Sequence, residues 1–101
     1  MLVAELDEVT YDLEIDGVQV RRTLERRVFE RRGWATVAIV YQELDKTGDW
    51  KPAKLALIRL QHVREAWKKH AAMTLAGLDA VALGESLVAW RDQLGTDDEP
   101  G

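Results

Sequence analysis

Residues 34 to 41 form the run Trp34-Ala-Thr-Val-Ala-Ile-Val-Tyr41, which is apolar at odd and even positions apart from one threonine. A strand with one solvent-facing side alternates apolar and polar residues, whereas a strand covered on both sides is apolar throughout. The run therefore predicts a central β-strand covered on two sides, and the most buried strand of the chain. Gly33 precedes it and the polar turn Asp45-Lys-Thr-Gly-Asp49 follows it.

Further strands are expected after this turn. The segment from Trp50 to Leu60 returns as a strand, with Pro52 near its start, where the missing N–H does least harm. Residues 61 to 75 suit either an amphipathic helix or a strand. A strand after a turn near residues 64 to 66 is favoured, because residues 67 to 75 resemble residues 50 to 57. Trp34, Trp50 and Trp67 would then stand at the starts of successive strands.

Before the central run, apolar and polar residues alternate from Val9 to Ile15, which is typical of a half-buried strand. Asp16-Gly17 suits the positive φ angles of a two-residue type I′ hairpin turn, and the alternation resumes at Val18. The sequence therefore predicts a β-hairpin here.

Three Arg-Arg pairs, which we call the arginine comb, lie five residues apart between Arg21 and Arg32. A helix is one alternative, but a five-residue step would spread the pairs around its axis. A strand instead places Val18, Val20, Leu24 and Val28 on one face, and Arg21, Thr23, Glu25, Arg27, Phe29 and Arg31 on the other. Arg22 and Arg26 then fall on the apolar side, which predicts a bulge, a sheet margin or a subunit contact.

The spacing of Leu83, Leu87, Trp90 and Leu94 predicts a helix over residues 78 to 94, with Trp90 in the core. Asp79 is a candidate N-cap, Gly95 a stop, and Gly84 suggests close approach to the sheet. The expected fold is α+β: a curved antiparallel meander of four to five strands followed by this helix, in one domain over residues 1 to 95. Residues 96 to 101 are expected to form an acidic, disordered tail.

The 101 residues include no cysteine, no apolar run long enough for a membrane span and no signal-peptide pattern, so a cytoplasmic, non-membrane protein is expected. The net charge is −4, but residues 17 to 70 hold thirteen Lys and Arg against six Asp and Glu. Since the electric field of charged side chains acts locally, a polyanionic partner is compatible with the negative net charge of the whole chain.

Catalytic patterns are missing from the sequence. His62, His70 and the single serine, Ser86, form no arrangement of nucleophile and base, and no glycine-rich phosphate loop or calcium loop is present. The prediction is a protein that is not an enzyme and uses no cofactor or metal.

The block from Gly33 to Leu60 resembles the positive cofactor four transcriptional coactivator family, whose relatives include the plant Whirly proteins. The matching elements are Arg31-Arg32-Gly33, Val37-Ala-Ile39, Asp45-Lys-Thr-Gly-Asp49, Lys51-Pro52, Lys54 and Leu55-Ala-Leu57. The chain departs from the family pattern at Val40 and Glu43, where a basic and an aromatic residue are usual.

This resemblance implies a curved ββββα unit that dimerises through its helix and binds single-stranded or unwound DNA along ridges of strands. Together with the interleaving of basic and aromatic residues, it makes single-stranded DNA, or alternatively RNA, the expected partner, alongside a homodimer. The candidate binding residues are Arg27, Phe29, Arg31, Arg32, Trp34, Trp50, Lys51, Lys54 and Lys69.

Two other interpretations of the comb stay open. Charged residues on a strand edge discourage aggregation between sheets, and this alone could explain the arginines. Alternatively, the protein is an interaction or assembly module in which the basic strand pairs with an acidic segment of a partner, such as residues 5 to 16, without nucleic acid.

Overall fold

The computed structural model describes residues 2 to 95, which form one antiparallel six-stranded sheet, curled into a half-barrel, and a C-terminal helix. The elements are β1 (Leu2–Val3), β2 (Leu13–Ile15), β3 (Val18–Arg31), β4 (Trp34–Glu43), β5 (Lys54–Val63), β6 (Ala66–Ala76) and α1 (Gly77–Ala89), with 3₁₀ turns at Leu6–Glu8 and Arg91–Gln93. The strand order is β1-β6-β5-β4-β3-β2. The α+β meander is confirmed, while the strand count exceeds the expected four to five because β1, a short edge strand, was not predicted.

The hydrophobic core lies on one side of the sheet, which we call the inner face. Alternate residues of β4, including Val37 and Ile39, are fully buried there, as are Ile58 and Leu60 of β5. The N-terminal segment, residues 3 to 11, covers this face, and its Val9 is only 1% exposed. The core therefore forms between the central strands and a segment that is mostly not a strand.

The prediction that β4 is covered on both sides was wrong for the part of the chain described here. Thr36, Ala38 and Val40 alternate with the core residues on the opposite side, which we call the outer face, and they are only half-buried. Strand β4 is therefore apolar on both faces, but the other residues of the range 2 to 95 bury only its inner face.

The N-terminal strand is shorter than expected, since only Leu13–Ile15 pairs within the predicted run from Val9 to Ile15. Val9 is buried by packing under the sheet rather than by strand pairing. The hairpin itself is confirmed: Asp16 and Gly17 have φ angles of 52° and 80°, as a type I′ turn requires.

The arginine comb lies on strand β3, as favoured over a helix, and the strand carries a bulge. The register with β4 shifts between Thr23 and Glu25, so Leu24 is an extra residue. A one-residue insertion exchanges the faces of all residues beyond it. Arg21 and Thr23 therefore share the inner face with Val28, contrary to the expectation that they would lie with Arg27 and Arg31.

Residues 66 to 76 form strand β6, which confirms the favoured alternative for the 61 to 75 segment. The turn before it includes Arg64, whose φ is 62°. Trp67 is near the start of β6 and is 7% exposed in the core.

Helix α1 differs from its prediction at both ends and in its burial. Its N-cap is Ala76, so Asp79 lies in the first turn instead of capping the helix. Trp90 is 50% exposed rather than in the core. Gly84 faces open space, and the tight approach is at Gly77, where an added Cβ would lie 2.9 Å from the carbonyl oxygen of Ala53.

Within residues 2 to 95, no helix is long and apolar enough to cross a membrane. The acidic tail predicted for residues 96 to 101 lies outside the described part of the chain.

Candidate nucleic-acid interface

The outer face is organised in rows, because residues paired across antiparallel strands lie on the same side of a sheet. The registers of β3 to β6 define three such rows near the β3–β4 turn. They are Arg31, Trp34, Gln61 and Lys68; then Phe29, Thr36, Arg59 and Ala71; then Arg27, Ala38, Leu57 and Met73. Basic and aromatic side chains thus gather at one end of the face, and apolar side chains follow.

Trp34 is fixed within this end of the sheet. The guanidinium carbon of Arg59 lies 4.9 Å from the centroid of the Trp34 ring system, and Arg59 donates a hydrogen bond of 3.0 Å to the hydroxyl of Thr36. The ring of His70 meets Trp34 edge-on, with the centroids 5.1 Å apart. Trp34 is therefore a half-buried, oriented anchor rather than an open platform.

Phe29 is the open aromatic of the same end. Its side chain is 57% exposed, and its strand neighbours on the outer face, Arg27 and Arg31, are also exposed. An exposed ring between two guanidinium groups can stack a base while the arginines contact the adjoining phosphates.

A second pair of basic and aromatic residues lies at the opposite end of β4. The guanidinium carbon of Arg22 lies 4.1 Å from the centroid of Trp50. Arg22 also donates two hydrogen bonds to Oε1 of Gln42, at 3.0 and 2.7 Å. Trp50 is half-buried in an isolated bridge with Leu44, and the neighbouring Lys51 is exposed.

Two candidate residues lie apart from the outer-face cluster. Lys54 pairs with the inner-face residue Tyr41 in the sheet register. Its Nζ lies 3.1 Å from the carboxylate of Glu43, and the hydrogen bond and charge of that carboxylate raise the pKa of Lys54. Lys69 pairs with the buried Leu60. Arg32 is exposed in the β3–β4 turn with a φ of 51°.

The structure thus brings Arg27, Phe29, Arg31 and Trp34 onto one face, with Trp50 beside Arg22 at its far end. Sequence reasoning missed Arg59, which enters this cluster from β5. The sequence carried only a partial signal: alternation places Arg59 on the same side as Leu55 and Leu57, and the register with Thr36 of β4 makes that side the outer face.

The inner-face arginines have structural roles. Nε of Arg21 donates a 2.7 Å hydrogen bond to the carbonyl of Tyr11, and its guanidinium lies 4.1 Å from the centroid of the Tyr11 ring. Arg26 donates to the carbonyl of Val9 at 2.7 Å and also to the carbonyl of Leu6. These two residues hold the N-terminal segment against the sheet.

A cavity of about 760 Å³ lies on the inner side, beneath the first 3₁₀ turn. Its lining includes four carboxylates, from Glu5, Asp7, Glu30 and Glu65, together with Trp67. Four carboxylates against one arginine, Arg64, make this lining acidic, and an acidic lining repels phosphate groups.

No protein-family model matches the chain, and comparisons with curated proteins and with solved structures found no match either. The resemblance to the coactivator family therefore stays a prediction.

Proposed function

We propose that this protein binds single-stranded nucleic acid, DNA in the first place, on the outer face of its sheet, as a transcription or DNA-maintenance cofactor. The observation that carries the proposal is the exposed ring of Phe29 between Arg27 and Arg31, beside the Arg59–Trp34 pair. The protein acts by holding unpaired bases and not by catalysis.

The distribution of charge supports this proposal despite the net charge of −4. The acidic residues Glu5, Asp7 and Glu8 belong to the segment that covers the inner face, whereas Arg27 and Arg31 project from the outer face. A cationic surface thus exists on one side of an acidic protein, and it can attract a polyanion over roughly the 10 Å screening distance at ordinary salt.

Fluorescence anisotropy of a labelled single-stranded oligonucleotide, longer than the ~16 nucleotides that a single fold covers at most, tests the proposal. Binding should prefer the single strand over a duplex competitor. Replacing Phe29 by Leu should weaken binding by about 5- to 150-fold, the loss expected for one stacked base, while Phe29→Tyr keeps the ring and should keep the affinity. Equal affinities of the two variants, or no binding at low salt, would exclude this site.

A salt series separates the phosphate contacts from stacking. For single strands, each neutralised phosphate adds about 0.7 to the slope of log affinity against log salt, so Arg27→Ala should reduce that slope by about 0.7. Arg91→Ala is the matched control, since Arg91 is exposed but lies outside the sheet. An equal change in both variants would indicate non-specific attraction.

A second candidate function, that of a protein-interaction module, is favoured by the C-terminal segment. Six large apolar residues are exposed there: Leu78, Val81, Leu87, Val88, Trp90 and Leu94. Exposed apolar surface of this kind marks protein contacts, and we propose a homodimer that uses α1. An assembly buried around apolar residues should persist at high salt, whereas nucleic-acid binding should fall steeply.

A further inference from the structure

The sheet has two edges, and they differ in how they are protected. On one edge, β2 pairs with β3 only as far as Arg21, so residues 24 to 31 of β3 have no strand partner on that side within the described chain. Five of those eight residues are charged: Glu25, Arg26, Arg27, Glu30 and Arg31. Charged side chains on an edge strand prevent pairing with another sheet, so this edge is protected.

The other edge lacks that protection. Strand β1 pairs with β6 only at Trp67 and Lys68, and the register with β5 skips His70. The remaining stretch, Ala71-Ala-Met-Thr-Leu-Ala76, which we call the β6 edge, contains no charged residue and no proline. All of its residues are exposed except the half-buried Leu75, and no described strand pairs with their outward side.

We infer that the β6 edge pairs with the β6 edge of a second copy of this chain, antiparallel and about a two-fold axis. Such an axis, perpendicular to the sheet, keeps inner and outer faces continuous across the two copies. Residues that face each other across antiparallel strands lie on the same side of a sheet, and Met73 and Thr74 lie on opposite sides, so the axis passes at Thr74, which faces Thr74 of the second copy. The unpaired main-chain groups of each copy satisfy those of the other.

The charges of β6 fit this arrangement. Its lysines, Lys68 and Lys69, precede the edge, and antiparallel pairing places the two copies' lysines at opposite ends of the contact. Pairing about the two-fold axis brings no like charges together at the centre. A parallel arrangement would instead place the lysines side by side.

The exposed helix enters the same contact. Helix α1 begins at Gly77, directly after the edge ends, and Leu78 is 88% exposed. A strand pair of six residues is a small interface, and the apolar helix supplies the additional buried surface that a stable dimer needs. This inference does not require nucleic-acid binding.

The test is a charge placed at the centre of the proposed contact. Thr74 is exposed, so Thr74→Lys and Thr74→Glu leave the core of one chain unchanged but bring like charges together in a dimer. In sedimentation velocity at about 100 μM chain, the unmodified protein should sediment with twice the chain mass of 11.5 kDa, and each variant with the single mass. An equimolar mixture of the two variants should recover the double mass.

Gln19→Lys is the matched control, because Gln19 is an exposed strand residue at the opposite edge of the sheet, and it should remain dimeric. Hydrogen exchange gives a second readout: amides of residues 71 to 76 should exchange at least about tenfold more slowly in the unmodified protein than in Thr74→Lys. A monomeric unmodified protein would overturn the inference. So would a Thr74→Lys dimer, a monomeric Gln19→Lys, or two folded monomeric variants that do not associate when mixed.

Discussion

The N-terminal segment offers the most direct test of how this sheet is stabilised, through the substitution Val9→Ala. Val9 is 1% exposed and belongs to the same core cluster as Ile39 and Leu60, although it lies in no strand. Removing two buried carbon groups costs about 1.6 kcal/mol at ~0.8 kcal/mol each, and the residual cavity raises the expected loss to about 2 to 3 kcal/mol.

Urea unfolding followed by tryptophan fluorescence measures this loss, with Trp67 as a reporter inside the core. With a slope of about 1 to 3 kcal/mol/M, a loss of 2 kcal/mol moves the midpoint down by roughly 0.7 to 2 M. Val18→Ala is the matched control, because Val18 is 53% exposed and its truncation should cost below about 1 kcal/mol. Equal midpoint shifts in the two variants would refute the conclusion that the N-terminal segment completes the core.

Two further substitution pairs test other contacts. Arg26→Gln should destabilise the fold by about 1.5 to 3 kcal/mol in urea unfolding, because it breaks the hydrogen bonds to two main-chain carbonyls. The control Arg27→Gln, at an exposed residue, should cost below about 0.5 kcal/mol. Similar costs for the two variants would contradict the structural role of Arg26. Gly77→Ala should lower the thermal midpoint, because its Cβ would meet the Ala53 carbonyl. Gly84→Ala should raise the stability by about 0.5 to 1 kcal/mol, since Gly84 faces open space in the helix. A less stable Gly84→Ala and a more stable Gly77→Ala would place the close approach elsewhere.

Several elements could be predicted because their signals are local. The Asp16-Gly17 turn depends on two residues that tolerate positive φ, and the apolar run of β4 depends only on its own composition. The C-terminal helix was also predicted, but not its start, since the cap is Ala76 rather than a residue with a capping side chain.

The candidate site was only partly predictable. Arg27, Phe29 and Arg31 were predicted to share one face, and they do, because alternation holds along β3 beyond the bulge; Trp34 joins them through its pairing with Arg31. Arg59 was missed because it comes from another strand, and its place beside Trp34 follows from strand register rather than from sequence spacing.

By itself, the sequence determined that this chain forms a strand meander followed by a helix, because turn residues and hydrophobic periodicity act within a few neighbours. Only the tertiary structure decided which arginines hold the N-terminal segment and which face outward. The single extra residue at Leu24 exchanges the faces of β3, and whether Arg21 or Arg27 meets the core depends on that register. Burial also depends on the tertiary structure. Val9 is buried and Trp90 is exposed because burial is set by packing between segments that are distant in sequence.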